Sequence, residues 1–244
     1  MISISYGGAE YGLPDYYQKR QCNEWMKLAL QGVTTVISSG DDGVGEPDTC
    51  PPGPDGLIFA PDFPSNCPYI LSIGSTEWDR FDNSTPPTPY EKLNEVATAR
   101  FASGGGFSNI YGIPSYQRDA VDAYFDQVKL PFSGYHHYVN DGNFSTVKGG
   151  VYHHGGRAYP DVGAVGDRQL VYVQGAWYLI GGTSLSAPIW GAVLTLVNEA
   201  RIAAGKKTVG FIHPVIVSQI LEFVQCSPRV CSQLGDKGDV GIRC

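Results

Sequence analysis

The sequence has no apolar run near the roughly 20 residues that a membrane-spanning helix needs, so no membrane partner is expected of it. It has no basic run either: 17 Lys and Arg are scattered among 24 Asp and Glu, for a formal net charge of −7. Nucleic acid and anionic surfaces are therefore poor partners. None of the six cysteines stands in a CxxC spacing, which argues against a thiolate metal site. Met1 to Ser5 lacks the basic and apolar regions of a secretory leader and reads as a strand already inside a domain. Internal repeats and a clear domain linker are also missing.

Hydrophobic residues make up 42% of the 244 positions and charged ones 17%, which suits a globular α/β domain with a real core, expected to be monomeric. Cys22, Cys50, Cys67, Cys226, Cys231 and Cys244 read as disulfide-forming. Cys50 and Cys67 bracket a Pro- and Gly-rich loop that a bridge between them would pin. Two glycosylation sequons, at Asn83 and Asn143, agree with the cysteines on an oxidising, secretory route and an extracellular protein.

Strand and helix signals alternate. Ile2 to Tyr6 is extended, Tyr16 to Leu30 helical, and Val33 to Ser38 a buried strand, together a βαβ unit. Tyr69 to Ile73 resumes the sheet, Pro114 to Phe125 reads as a helix, and Leu170 to Gln174 with Trp177 to Ile180 forms a hairpin. The fold class expected is α/β, with a mainly parallel sheet and helices on both faces.

The hairpin delivers the chain to Gly181-Gly182-Thr183-Ser184-Leu185-Ser186-Ala187-Pro188. Glycines permit a sharp turn, Pro188 suits a first helical turn, and Leu185, Ile189, Trp190, Val193, Leu194, Leu196 and Val197 follow at helical spacing, as in a buried helix. Ser184 then has two readings: an N-cap, or a nucleophile at the positive end of a helix dipole. Beyond the strand ending at Ser38, Ser39-Gly40-Asp41-Asp42-Gly43 puts carboxylates at a strand's carboxyl end, where α/β proteins bind ligands. An acidic turn or a surface calcium loop would look similar. Ser3-Ile4-Ser5-Tyr6-Gly7-Gly8 is a strand whose glycine end could pair with an extended peptide.

These three motifs, in this order, resemble the sedolisin family of serine-carboxyl peptidases, which has the subtilisin fold. The resemblance spans Ile2 to Pro214 and includes Phe101–Ser108, Tyr159–Val162 and the fungal-looking Phe63–Pro68. It implies that Ser184 is the nucleophile, that Asp41 serves the oxyanion hole, and that Ser5, Tyr6 and Gly7 line bound substrate. Peptides or proteins would be cleaved, by an endopeptidase or a tripeptidyl-peptidase. An ionised Asp41 would repel an oxyanion whereas a neutral carboxyl can donate to it, so activity is expected at acid pH. Asp161 and the glycine run read as structural.

The same resemblance implies a Glu/Asp base pair ahead of the Ser3–Gly7 strand, a segment absent from this sequence. Glu91 and Glu95 share a helical spacing but fall between Asp41 and Ser184, and His153-His154 lack a subtilisin histidine's context. The calcium that the family carries has no recognisable site, and Asp236 and Asp239 are poor substitutes. The expected organisation is a partial catalytic domain at 1–214 and a divergent tail at 215–244. A catalytically inactive homologue that binds peptides is the alternative.

Overall fold

The computed structural model describes residues 1–44, 58–78, 94–129, 133–135 and 151–217. Thirteen strands are defined among them: β1 (Ile2–Ile4), β2 (Gly8–Ala9), β3 (Thr35–Ser38), β4 (Asp62–Phe63), β5 (Leu71–Trp78), β6 (Glu95–Ala97), β7 (Gly106–Gly112), β8 (Ser133–Tyr135), β9 (Val151–His153), β10 (Gly156–Tyr159), β11 (Val162–Val165), β12 (Gln169–Val173) and β13 (Ala176–Ile180). The longer helices among them are α1 (Asp15–Leu30), α2 (Arg118–Gln127) and α3 (Thr183–Ala203).

The main sheet runs β1-β3-β5-β11, every neighbouring pair parallel, with β6 antiparallel on β5. Register sets Ile4 beside Ile37 and Ser38 beside Ile73. Alternation along β3 then separates two cores, because successive side chains point to opposite faces. Val36 joins Leu71, Ile73, Ala187 and Leu194 under α3, while Ile37 joins Cys22, Cys67 and Ile70 on the α1 side. Helices therefore cover both faces, as the α/β reading requires.

Two expectations are corrected by this packing. Cys67 is bonded to Cys22, with 5.7 Å between their Cα atoms, and not to Cys50, which lies outside the described residues. The bridge ties α1 to the loop entering β5. Helix α3, expected to be buried all round, is buried along Thr183, Ser186, Ala187, Gly191, Leu194 and Asn198 only. Small residues let it lie close to the sheet: Gly191 sits over Ser3 and Val36. Other large apolar residues point away from the sheet, Val193 45% and Leu196 64% exposed.

Two buried polar clusters anchor the loops around this sheet. Glu10 accepts from Asn66 Nδ2 (2.6 Å), from the Asn109 amide (2.8 Å) and from Ser108 Oγ. Burial pushes its carboxyl above the ordinary value, although those donors favour the charged form. Asp161 accepts from the buried Arg157 guanidinium (2.7 Å) and from the Ser72 amide (2.8 Å), joining β10 to the start of β5. These contacts agree with a structural role for Asp161.

Candidate active site

The residues singled out in the sequence meet at the carboxyl end of the parallel sheet. Ser5 to Gly7 continue from β1, Ser39 to Asp41 continue from β3, and α3 begins between them. Gly182 is the N-cap of α3, with φ 149° and ψ 150°, a conformation open essentially to glycine, and it has no side chain of its own with which to cap the helix. Ser184 is thus the second helical residue and is exposed, which removes the capping reading of its hydroxyl.

Pro188 is the sixth residue of α3 rather than part of its first turn. Having no N–H, it cannot donate to the carbonyl four residues back, which is that of Ser184. The Ser5 hydroxyl donates to this carbonyl instead, at 3.1 Å. One proline and one serine, far apart in sequence, thereby fasten the nucleophile candidate to the end of β1.

Asp41 is exposed, and its Oδ1 accepts from the Thr183 amide at 2.7 Å and from the Thr183 hydroxyl at 2.9 Å. The turn carrying it is clamped from behind: the Gly104 amide donates to the Gly40 carbonyl at 2.7 Å and the Gly105 amide to the Gly43 carbonyl at 2.9 Å. Gly104 lies so close to the Ser39 carbonyl that no Cβ fits there. The glycine run near β7 therefore shapes the Asp41 turn.

At the start of α3 the Thr183 amide is taken by Asp41 and the Leu185 amide by the Gly182 carbonyl. Among the described residues no backbone carbonyl accepts from the Ser184 amide. An N–H at a helix's positive end, beside a carboxyl group, is a place where an oxyanion could be held. Tyr6 is 85% exposed, and a Cβ on Gly7 would meet the Phe63 carbonyl at 2.9 Å. Gly7 thus fits the close approach of this segment to β4.

Of the 222 residues that align with tripeptidyl-peptidase sed1 of Aspergillus fumigatus, 49% are identical. That match takes in 88% of this chain and 33% of the relative. The chain belongs to the sedolisin family. Aorsin of Aspergillus oryzae is 42% identical over 226 residues, and human tripeptidyl-peptidase 1 is 34% identical over 221. The chain spans about a third of the length of these relatives (33% and 34%). Pseudomonas sedolisin, a serine-carboxyl proteinase solved with two molecules of pseudo-iodotyrostatin, superposes with a TM-score of 0.57 at 23% identity, over 91% of this chain and 52% of that one. That likeness establishes the fold. No family model matches the chain.

Other candidates fall elsewhere. Glu95 lies in β6, so it shares no helix face with Glu91, which is outside the described residues. His153 Nδ1 is 2.8 Å from the Ser108 carbonyl, and His154 stacks on Phe125 with ring centroids 4.3 Å apart. Among the described residues no group of three His, Cys, Asp or Glu could hold a metal ion, and Asp236 and Asp239 lie outside them. Asn83, Asn143, Cys226, Cys231 and Cys244 also lie outside the described residues. The sequence reading missed Thr183 as Asp41's partner; only its position beside Ser184 pointed to it.

Proposed function

We propose that this chain carries the nucleophile and oxyanion-binding part of an acid-acting serine peptidase that hydrolyses peptide bonds. One observation carries the reading: the amide of Thr183, the residue before Ser184, donates to Asp41. The carboxyl is thus held beside the turn that presents the hydroxyl.

In this reading Ser184 Oγ adds to the scissile carbonyl carbon, giving up its proton to a base as the carbonyl oxygen becomes an oxyanion. The Ser184 amide and a neutral Asp41 carboxyl donate to that oxygen. Collapse expels the amine with a proton and leaves an acyl-enzyme, which water cleaves. Ser5, Tyr6 and Gly7 offer an edge along which an extended peptide can lie. The finer reading is a tripeptidyl-peptidase, supported by the names of two relatives. We further assign residues 1–214 to the catalytic domain and 215–244 to a divergent tail, and propose an extracellular monomer. The Cys22–Cys67 bridge suits an oxidising compartment.

A second reading, a peptide-binding homologue without turnover, has its own support. Among the described residues no carboxylate or imidazole hydrogen-bonds the Ser184 hydroxyl, and an unassisted serine is a weak nucleophile. Hydrolysis of tripeptidyl and internally quenched peptides at acid pH separates the two. Turnover that disappears in Ser184→Ala supports the peptidase; binding of the same peptides without turnover supports the homologue.

A further inference from the structure

The two oxygens of Asp41 have different surroundings. Oδ1 faces two donors of one residue, the Thr183 amide at 2.7 Å and the Thr183 hydroxyl at 2.9 Å. That hydroxyl also accepts from the Gly40 amide at 3.1 Å and has the Gly40 carbonyl, at 3.1 Å, as its other acceptor. A hydroxyl has one proton, so with the Gly40 N–H entering a lone pair it donates either to Oδ1 or to the Gly40 carbonyl. Thr183 is 1% exposed, so water does not compete for its hydroxyl.

Oδ2 lies on the other side, against Gly182. A Cβ at that residue would come within 3.0 Å of it. The backbone at Gly182 already restricts the position to glycine, and the missing side chain keeps the approach to Oδ2 clear. A proton on Oδ1 would point into a space supplied with donors, whereas a proton on Oδ2 meets none there.

We propose that Thr183 is a positioning residue for Asp41: its amide and hydroxyl hold Oδ1 as an acceptor, so that the carboxyl proton resides on Oδ2 and is donated from there to the oxyanion. This rests on the reading of Asp41 as the oxyanion acid. Thr183 itself touches no reacting atom. The Gly40 amide, by donating to the hydroxyl oxygen, anchors it beside Oδ1, so the turn after β3 and the start of α3 set the acid's orientation together.

The test uses the full chain carrying carbon-13 in its aspartate carboxyl groups, with the Asp41 resonance identified by its loss in Asp41→Asn. Thr183→Val keeps the shape and the amide but removes the hydroxyl. Removing a donor that favours the charged carboxyl moves the midpoint of the Asp41 resonance to higher pH. Labelling of Ser184 by a serine-reactive phosphonofluoridate slows about tenfold, the worth of one hydrogen bond in a barrier. Thr183→Ser restores both. A Thr183→Val titration that overlays the wild type, in a protein with an otherwise unchanged amide spectrum, overturns the proposal; so does a Thr183→Ser protein that behaves like the valine variant. A displaced midpoint with no labelling in any variant, wild type included, supports the orienting role and overturns the peptidase reading instead.

Discussion

The bond between Ser5 and the Ser184 carbonyl exists because Pro188 has no amide to offer, and this makes a quantitative prediction about two residues that never touch. In Ser5→Ala the carbonyl loses its donor. A typical net hydrogen bond contributes about 0.5–1.5 kcal/mol, and because this one is exposed water recovers part of that, so a loss of about 0.5–1 kcal/mol is expected. Pro188→Ala supplies an N–H four residues on from Ser184 and relieves a helix-interior proline, which stabilises the helix by up to about 3 kcal/mol. In the Pro188→Ala background the Ser184 carbonyl has its helical partner, so Ser5→Ala should cost nearly nothing. The coupling between the substitutions is then about 0.5–1 kcal/mol, measurable by urea denaturation of the four proteins in the cycle. Strict additivity of the two effects would refute the reasoning, because it would mean that the carbonyl is satisfied independently of Pro188.

Three further outcomes test the packing and the buried groups. Gly191→Ala should leave stability unchanged or raise it, since the new Cβ meets Ser3 Cβ at 3.6 Å and Val36 Cγ2 at 3.8 Å in ordinary contact; Gly191→Leu should lose about 1–3 kcal/mol by overpacking, both read from denaturation midpoints. Breaking the Cys22–Cys67 bridge, which closes a 45-residue separation, should cost about 4 kcal/mol on the chain-entropy account, measured by denaturation of Cys22→Ala/Cys67→Ala. Glu10 is held above its ordinary value of 4.5 by burial, so the folded chain keeps a proton that the unfolded chain releases. Its contribution is fully present below about pH 4.5 and is lost as pH rises through the folded value. Wild type should therefore lose stability relative to Glu10→Gln as pH rises, and parallel denaturation curves would contradict the burial effect.

Much of the fold was legible because period and composition agreed. The β1–α1–β3 unit shows a buried Thr35-Val36-Ile37 run and a 16-residue helix between two parallel strands, and the hairpin β12–β13 leads into α3 as its alternation suggested. Helix α3 was misjudged for a physical reason. Hydrophobicity all round its surface reads as burial all round, yet only one face meets the sheet, where Ala187, Gly191 and Leu194 make the contact while Val193 and Leu196 do not. Sequence spacing could not choose Cys22 over Cys50 as the partner of Cys67, because that choice depends on where α1 lies on the sheet. At the candidate site, the order of motifs gave Ser5, Asp41 and Ser184, while the bonds of Thr183 to a residue 142 positions away leave no local trace. Glu10 likewise looks like any surface glutamate until the fold surrounds it with Asn66, Ser108 and Asn109.

The central claim is that Ser184 is a nucleophile with an oxyanion site made in part by Asp41. Its most direct test is the reaction of the purified chain with a serine-reactive phosphonofluoridate at acid pH, followed by peptide mapping. The account predicts a single adduct on the peptide containing Ser184, absent in Ser184→Ala and formed about 10²–10³ times more slowly in Asp41→Ala, the usual effect of losing one oxyanion donor. An adduct on another serine, no adduct at all, or an Asp41→Ala rate equal to that of the wild type would contradict it.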